Sequence, residues 1–360
     1  MENKLAADRG RNHALDFLRF AMSVGIVLYH ILHKNIIPYV PAGSADAISA
    51  AVENAYYLVE FFLILGGFFL WGTLEKAGKE FSFFSFLADK VARLWPVLAF
   101  EVVCALLLGK QGFAHALQEL FFLRATGLSP LRTGILWYIG PYFWIALLFG
   151  GLYRTFGKEK TVFAAAVLAY VGYCANFTVT GGFLGRQELW GIVPLSVLRV
   201  GAGISVGFLY GAFRSKCPPI LRSKTAACVL YTAAEAGAVF YLTQRLFFGK
   251  SFGDTAMTPV LMFLILLHCF AERKGLLTRL LDRPLLGAGG KFAYSIYVMQ
   301  QISFYLMIPL FWKRFPVLLA TRLPLCLLLS TAFSAGFGIL TYCLVERPAK
   351  RFLSARLSGK

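Results

Sequence analysis

Acidic residues are scarce in this chain: 18 Asp and Glu stand against 36 Lys and Arg, and only 15% of the 360 residues are charged. Polar stretches long enough for a soluble domain are missing, which leaves no room for one between the apolar runs. The seven cysteines (Cys104, Cys174, Cys217, Cys228, Cys269, Cys326 and Cys343) are scattered with no C-x-x-C spacing. That excludes a redox or zinc motif and leaves them as small core residues. Of the five histidines, His13, His115 and His268 stand at no metal-ligand spacing from another histidine, a cysteine or a carboxylate, and no metal site is expected. A Gly-rich phosphate loop, a low-complexity tract and a visible internal repeat are also lacking, and Gly287 to Gly290 reads as a turn before a helix.

What the chain does have is apolar surface. It is 58% hydrophobic, with a mean hydropathy of +0.66, a profile that predicts a polytopic membrane protein. Ten apolar stretches approach the ~20 residues needed to cross a ~30 Å hydrocarbon core. They lie near 15–33, 51–73, 94–109, 134–152, 161–177, 191–213, 225–244, 255–271, 292–312 and 323–345. The expected fold is therefore an all-α membrane helix bundle of about ten spans, with 1–360 as a single transmembrane domain between short basic tails at 1–14 and 346–360.

The net charge of +18 does not call for nucleic acid, because the cations are sorted by loop. With the N-terminus cytoplasmic, the inner segments hold 24 Lys and Arg, the outer loops 10, and the spans two, Arg19 and Arg199. This bias predicts both termini in the cytoplasm and attraction to anionic lipid. The first apolar segment carries Asp16 and Arg19 and no small-residue cleavage site follows it, so it reads as a retained helix and not a signal peptide.

That segment also holds the most informative pair. Arg19 and His30 are eleven residues apart, which returns them to within about 20° of one helix face and separates them by about 16 Å along the axis. Ionisable groups in a membrane helix usually face a bundle interior or a watery cavity. The bland alternatives are an Arg19 paired with Asp16 at i, i+3 or snorkelling to headgroups, and a His30 bonded to a neighbouring loop. Glu53, Glu60, Glu101 and Arg199 stand out inside later spans. Glu60 and Arg199 enter their helices to almost the same depth, so an ion pair is possible, either structural or substrate-binding. Glu101 has no obvious partner. Lys90 and Arg93 lie one turn apart ahead of Trp95 and Pro96, where they suit an anionic ligand or a positive-inside anchor, with Pro96 at a helix start. Trp137 and Tyr138 open the fourth span and have the same dual reading, aromatic belt or substrate contact.

Taken in order, these segments resemble the acyltransferase-3 family of integral-membrane O-acyltransferases. Leu15-Asp16-Phe17-Leu18-Arg19 through His30 is similar to its R/K-x10-H helix, and Val59-Glu60-Phe61-Phe62-Leu63-Ile64-Leu65-Gly66-Gly67-Phe68 to its V-[DE]-x-F-F-x-L-S-G-F segment. Lys90 to Pro96 resembles R-x-x-R-x-x-P, Leu136-Trp137-Tyr138-Ile139 the W-[FY]-[LI] opening, and Arg199 through Gly207 and Gly211 a later Gly-spaced helix. Lys291 to Tyr297 and Val345-Glu346-Arg347-Pro348 complete the series. The chain departs from the pattern at Gly66, where Ser is usual, at Gln300 or Gln301, where many members have His, and at Gly140-Pro141-Tyr142, where some branches carry a carboxylate.

The resemblance implies transfer of an acyl group, usually acetyl, from cytoplasmic acyl-CoA to a hydroxyl of a cell-surface or exported carbohydrate or lipid-linked glycan, in a bacterial cytoplasmic membrane. Acyl-CoA would be a co-substrate, with no tightly bound cofactor, no metal and no nucleic-acid partner; lipid, donor and glycan are the partners expected. His30, Arg19 and Glu60 are the catalytic candidates, Lys90 and Arg93 the donor-binding ones, and Arg199, Trp137 and Tyr138 the acceptor-binding ones. A transporter or flippase of a lipid-linked sugar, or an inactive scaffold relative in envelope assembly, are the rival readings.

Overall fold

The computed structural model describes residues 11–128, 134–182, 188–189, 193–214, 216, 223–250, 252–253 and 255–357. It is 84% helical, which establishes the all-α class. In chain order the helices are α1 (His13–His30), α2 (Ala42–Val52), α3 (Leu58–Ala77), α4 (Phe83–Leu107), α5 (Phe113–Leu120), α6 (Ile139–Thr180) and α7 (Leu195–Arg214). They continue with α8 (Lys224–Phe247), α9 (Thr258–Glu272), α10 (Leu276–Leu281), α11 (Pro284–Gly287), α12 (Ala293–Met307), α13 (Pro316–Thr321), α14 (Leu323–Thr341) and α15 (Arg347–Leu357). Between α6 and α7, the two-residue strands β1 (Glu188–Leu189) and β2 (Val193–Pro194) pair antiparallel, Glu188 opposite Pro194.

Six stretches among the described residues are long and apolar enough to cross a membrane: His13–His33, Gly43–Glu80, Ile139–Thr180, Leu195–Arg214, Lys224–Phe247 and Leu323–Leu353. The protein is thus multi-pass. Helix breaks account for much of the difference from ten. The stretch Ile139–Thr180 absorbs two expected spans and bends at Gly157, whose φ of 79° and ψ of −177° suit glycine. The stretches expected at 255–271 and 292–312 become fifteen-residue helices, α12 running on into a π-helical turn, Ile308–Trp312. Pro96 is not at a helix start as expected. Ser82 caps α4 well upstream, accepting from Ser85 N at 3.4 Å, and leaves Pro96 inside the helix, a position that membrane helices tolerate.

The chain forms two compact units that interleave along it, Met1–Val59 with Pro218–Ile339, and Glu60–Cys217 with Leu340–Lys360. In the first, α1 is anchored at its start. Asn12 Oδ1 accepts from Leu15 N at 2.9 Å, and Asp282 Oδ1 accepts from the backbone of His13 and Ala14 at 2.9 and 3.3 Å, so two side chains satisfy the orphan donors of the first turn. The glycine turn before α12 packs on the same turn: a Cβ at Gly290 would come within 2.5 Å of the Asp16 carbonyl.

The second unit is built around α3 and α7, both mostly buried. Gly203, Gly207 and Gly211 form a stripe along α7 at four-residue spacing, and Gly67 faces it from α3. A Cβ at Gly207 would run into the Ile64 carbonyl, and one at Gly67 into that of Ile204. Small residues at this spacing let two membrane helices approach backbone to backbone. On the other flank of α7, Gly172 of α6 meets the Leu198 carbonyl in the same way.

Candidate functional site

The close packing of α3 and α7 explains the first polar cluster. Glu60 and Arg199 both sit deeper in sequence than in helix: α3 begins at Leu58 and α7 at Leu195, so each residue lies in or near the first turn. Both helices start later than expected, at Leu58 and Leu195, and the two side chains still meet. Arg199 Nε donates to Glu60 Oε1, while Tyr173 of α6 donates its hydroxyl to Glu60 Oε2 at 3.2 Å. Glu60 is fully buried and Arg199 is 5% exposed. The guanidinium also lies over the Trp137 ring, 4.9 Å from its centroid, so cation–π attraction supplements the ion pair. Tyr138 is buried beside Trp137, ring centroids 6.1 Å apart. Glu60, Arg199, Trp137 and Tyr138 therefore form one cluster, extended by Tyr173.

A second cluster in the same unit involves Lys90. Its ammonium lies 5.1 Å from the Phe86 ring and 5.6 Å from the Tyr142 ring, while Arg93, one turn on, is exposed. Tyr142 fills the space that a side chain at residue 66 would need: a Cβ on Gly66 would stand 2.7 Å from Tyr142 Cε2. Two of the chain's departures from the family pattern, Gly66 and Tyr142, are thus one steric exchange. Glu101 of α4 is buried, and its Oε2 has no hydrogen-bond partner among the described residues, in line with the partnerless carboxylate expected.

The other unit holds Arg19 and His30, both on the uninterrupted helix α1, so the expected rise of about 16 Å between them stands. Asp16 takes two cations, Arg11 Nε at 2.6 Å and Arg19 Nη1 at 3.2 Å. His30 is the last residue of α1 before a π-helical turn, Ile31–Asn35, and Asn35 Nδ2 donates to the His30 carbonyl at 2.7 Å. Its ring is met by Gln300 of α12, with His30 Nδ1 and Gln300 Oε1 3.0 Å apart. Gln300 is fully buried, and its Nε2 donates to the Tyr297 carbonyl at 2.8 Å. That second bond fixes the amide, since the reverse orientation would set two oxygens against each other. The amide oxygen then accepts from Nδ1–H, and in the neutral imidazole that tautomer carries its lone pair on Nε2. Gln301 bonds Tyr305 instead, at 2.5 Å. Of the two glutamines, Gln300 occupies the informative place.

Two further polar residues were missed by sequence reasoning. Glu235, inside an apolar stretch, is fully buried and accepts from Leu277 N at 2.9 Å and Thr278 N at 3.2 Å, so it caps α10. Its signal was a carboxylate in an apolar run, as at Glu60. His268, with no other polar residue near it in its apolar stretch of sequence, lies 3.0 Å from the Tyr231 hydroxyl. No group of three or more metal-ligating side chains occurs among the described residues.

The chain is thus a multi-pass helical membrane protein that buries an arginine–glutamate pair in one unit and bonds a histidine to a buried amide in the other. The family is specific: the acyltransferase-3 model, an acyltransferase domain, matches residues 12–341, and the chain belongs to that family. No curated protein and no solved structure matches it.

Proposed function

We propose that the protein is a membrane O-acyltransferase that moves an acyl group, acetyl in the simplest case, from cytoplasmic acyl-CoA to a hydroxyl of a cell-surface or exported carbohydrate or lipid-linked glycan. The observation that carries this reading is the His30–Gln300 pair, which holds Nδ1–H on the amide oxygen and so assigns the lone pair of the neutral ring to Nε2. Such a nitrogen suits a general base near neutral pH. The acceptor oxygen bonds to the thioester carbonyl carbon as His30 Nε2 takes the hydroxyl proton. The C–S bond then breaks, and the departing CoA thiolate receives that proton. Arg199, held by Glu60 and faced by Trp137, has the planar donors to position a sugar hydroxyl or a developing oxyanion. Lys90, Arg93 and Arg19 serve the polyanionic donor, and Arg19 is the weakest of the three because Asp16 already takes its charge.

Purified protein with labelled acetyl-CoA and a glycan acceptor tests this. His30→Ala is expected to lose about 10²- to 10⁴-fold in transfer, with CoA affinity retained. Full transfer by that variant would remove His30 from the mechanism, and no transfer by the wild type to any surface glycan would remove the activity itself. Mass spectrometry of surface glycans with and without the protein would name the acyl group and its target.

A further inference from the structure

Beside the Lys90 cluster, the second unit has an open cleft of about 500 Å³ lined by Gly78, Lys79, Phe81, Tyr153, Arg154, Gly157 and Lys158. Its size falls in the range of small-molecule sites. It is made where the chain leaves α3 and where α6 bends at Gly157. Three of its lining residues are cations. Lys158 donates to Glu75 at 2.8 Å and lies over Trp71, 4.7 Å from the ring centroid, so its charge is largely answered. Lys79 and Arg154 have no carboxylate partner among the described residues. Two lining residues are aromatic, Phe81 and Tyr153, set edge to face with centroids 5.7 Å apart. Both segments fall on the side that the Lys and Arg bias assigns to the cytoplasm.

The cleft also connects to a donor-binding candidate. From Tyr153, ring contacts pass to Phe81 and from Phe81 to Phe86 at 5.5 Å, and Lys90 lies over Phe86. Cations without carboxylates beside aromatic rings suit a phosphorylated nucleotide, the phosphates against Lys79 and Arg154 and the base against Tyr153. We propose that this cleft receives the phosphorylated adenosine end of the acyl donor, so that the pantetheine arm leaves along the aromatic row toward Lys90. This rests on the acyl-CoA reading above and adds a subsite to it.

The test is binding of CoA, dephospho-CoA and S-acetyl-pantetheine to purified full-length protein, comparing the wild type with a Lys79→Gln/Arg154→Gln double variant and with Lys160→Gln. Lys160 is an exposed cation two residues from Lys158 that does not line the cleft. The double variant is expected to bind CoA at least tenfold more weakly, dephospho-CoA with a smaller loss, and S-acetyl-pantetheine as the wild type does. An equal loss in Lys160→Gln would mean long-range charge and overturn the cleft. So would an unchanged CoA affinity in the double variant, which leaves the acyl-CoA reading intact. Failure of the wild type to bind CoA overturns that reading itself, and the subsite with it. Loss of affinity for phosphatidylglycerol vesicles with CoA binding unchanged would assign the cleft to lipid headgroups and overturn the proposal.

Discussion

The role of Gln300 follows from two hydrogen bonds, and only one of them touches His30. Removing the side-chain oxygen with Gln300→Leu leaves Nδ1–H to find another acceptor, at about 1–3 kcal/mol for an unsatisfied buried donor. That is expected to lower kcat about ten- to a hundredfold while KM for acetyl-CoA stays within twofold, because the donor cations are untouched. Gln300→His, whose ring nitrogen can again accept from Nδ1–H, is expected to recover most of the rate. A raised KM at constant kcat would instead place Gln300 in substrate binding. The sequence made His30 visible through its spacing from Arg19 and marked Gln300 or Gln301 as a departure, but it could not pair the two across 270 positions, because an uncharged amide in an apolar helix points to no particular partner. The Glu60–Arg199 pair was legible, since burying two opposite charges in apolar runs is costly unless they meet. Glu60→Gln or Arg199→Met alone is expected to cost about 3–5 kcal/mol by stranding a buried charge, and the double variant markedly less. Thermal unfolding of the three variants in detergent measures this; equal losses in all of them would mean that the pair's packing, and not its charge, matters.

At the level of helices, apolar length located the membrane segments but not their ends. The gap expected between 134–152 and 161–177 contains Gly157, where Ile139–Thr180 breaks, but the stretch at 94–109 was cut off from the helical turns that begin at Phe83. The glycine stripe of α7 was recognised as a pattern, while its partner Gly67 needed the three-dimensional structure. The same holds for Gly66 and Tyr142, which looked like two separate departures and are one contact. Their coupling gives a prediction. Gly66→Ser alone is expected to destabilise the protein by about 1–3 kcal/mol, the range for forcing extra atoms into a packed interior. Combined with Tyr142→Ala, which empties the space, the serine is expected to cost less, with a coupling of about 0.5–3 kcal/mol in a double-mutant cycle. Additive losses would show that Tyr142 yields to the serine without strain.

For the whole molecule, the proposed chemistry depends on orientation. Arg19 lies toward the start of α1 and His30 at its end, so the helix runs from the donor side to the acceptor side only if the N-terminus is cytoplasmic. The same orientation puts the cleft at Lys79 and Arg154, and the cations Lys90 and Arg93, on the face where acyl-CoA is made. Of the 36 Lys and Arg, 24 fall on the segments assigned inside and 10 on those assigned outside, a ratio that predicts a cytoplasmic N-terminus. Fluorescent-protein fusions at the C-terminus are therefore expected to glow in intact bacterial cells. Alkaline phosphatase is expected to be active when inserted in the outer loop near residues 34–41, and inactive in the inner one near 78–82. Activity at 78–82 would turn the donor cations outward, where no acyl-CoA reaches them, and would remove both the cytoplasmic donor and the cleft's assigned occupant together.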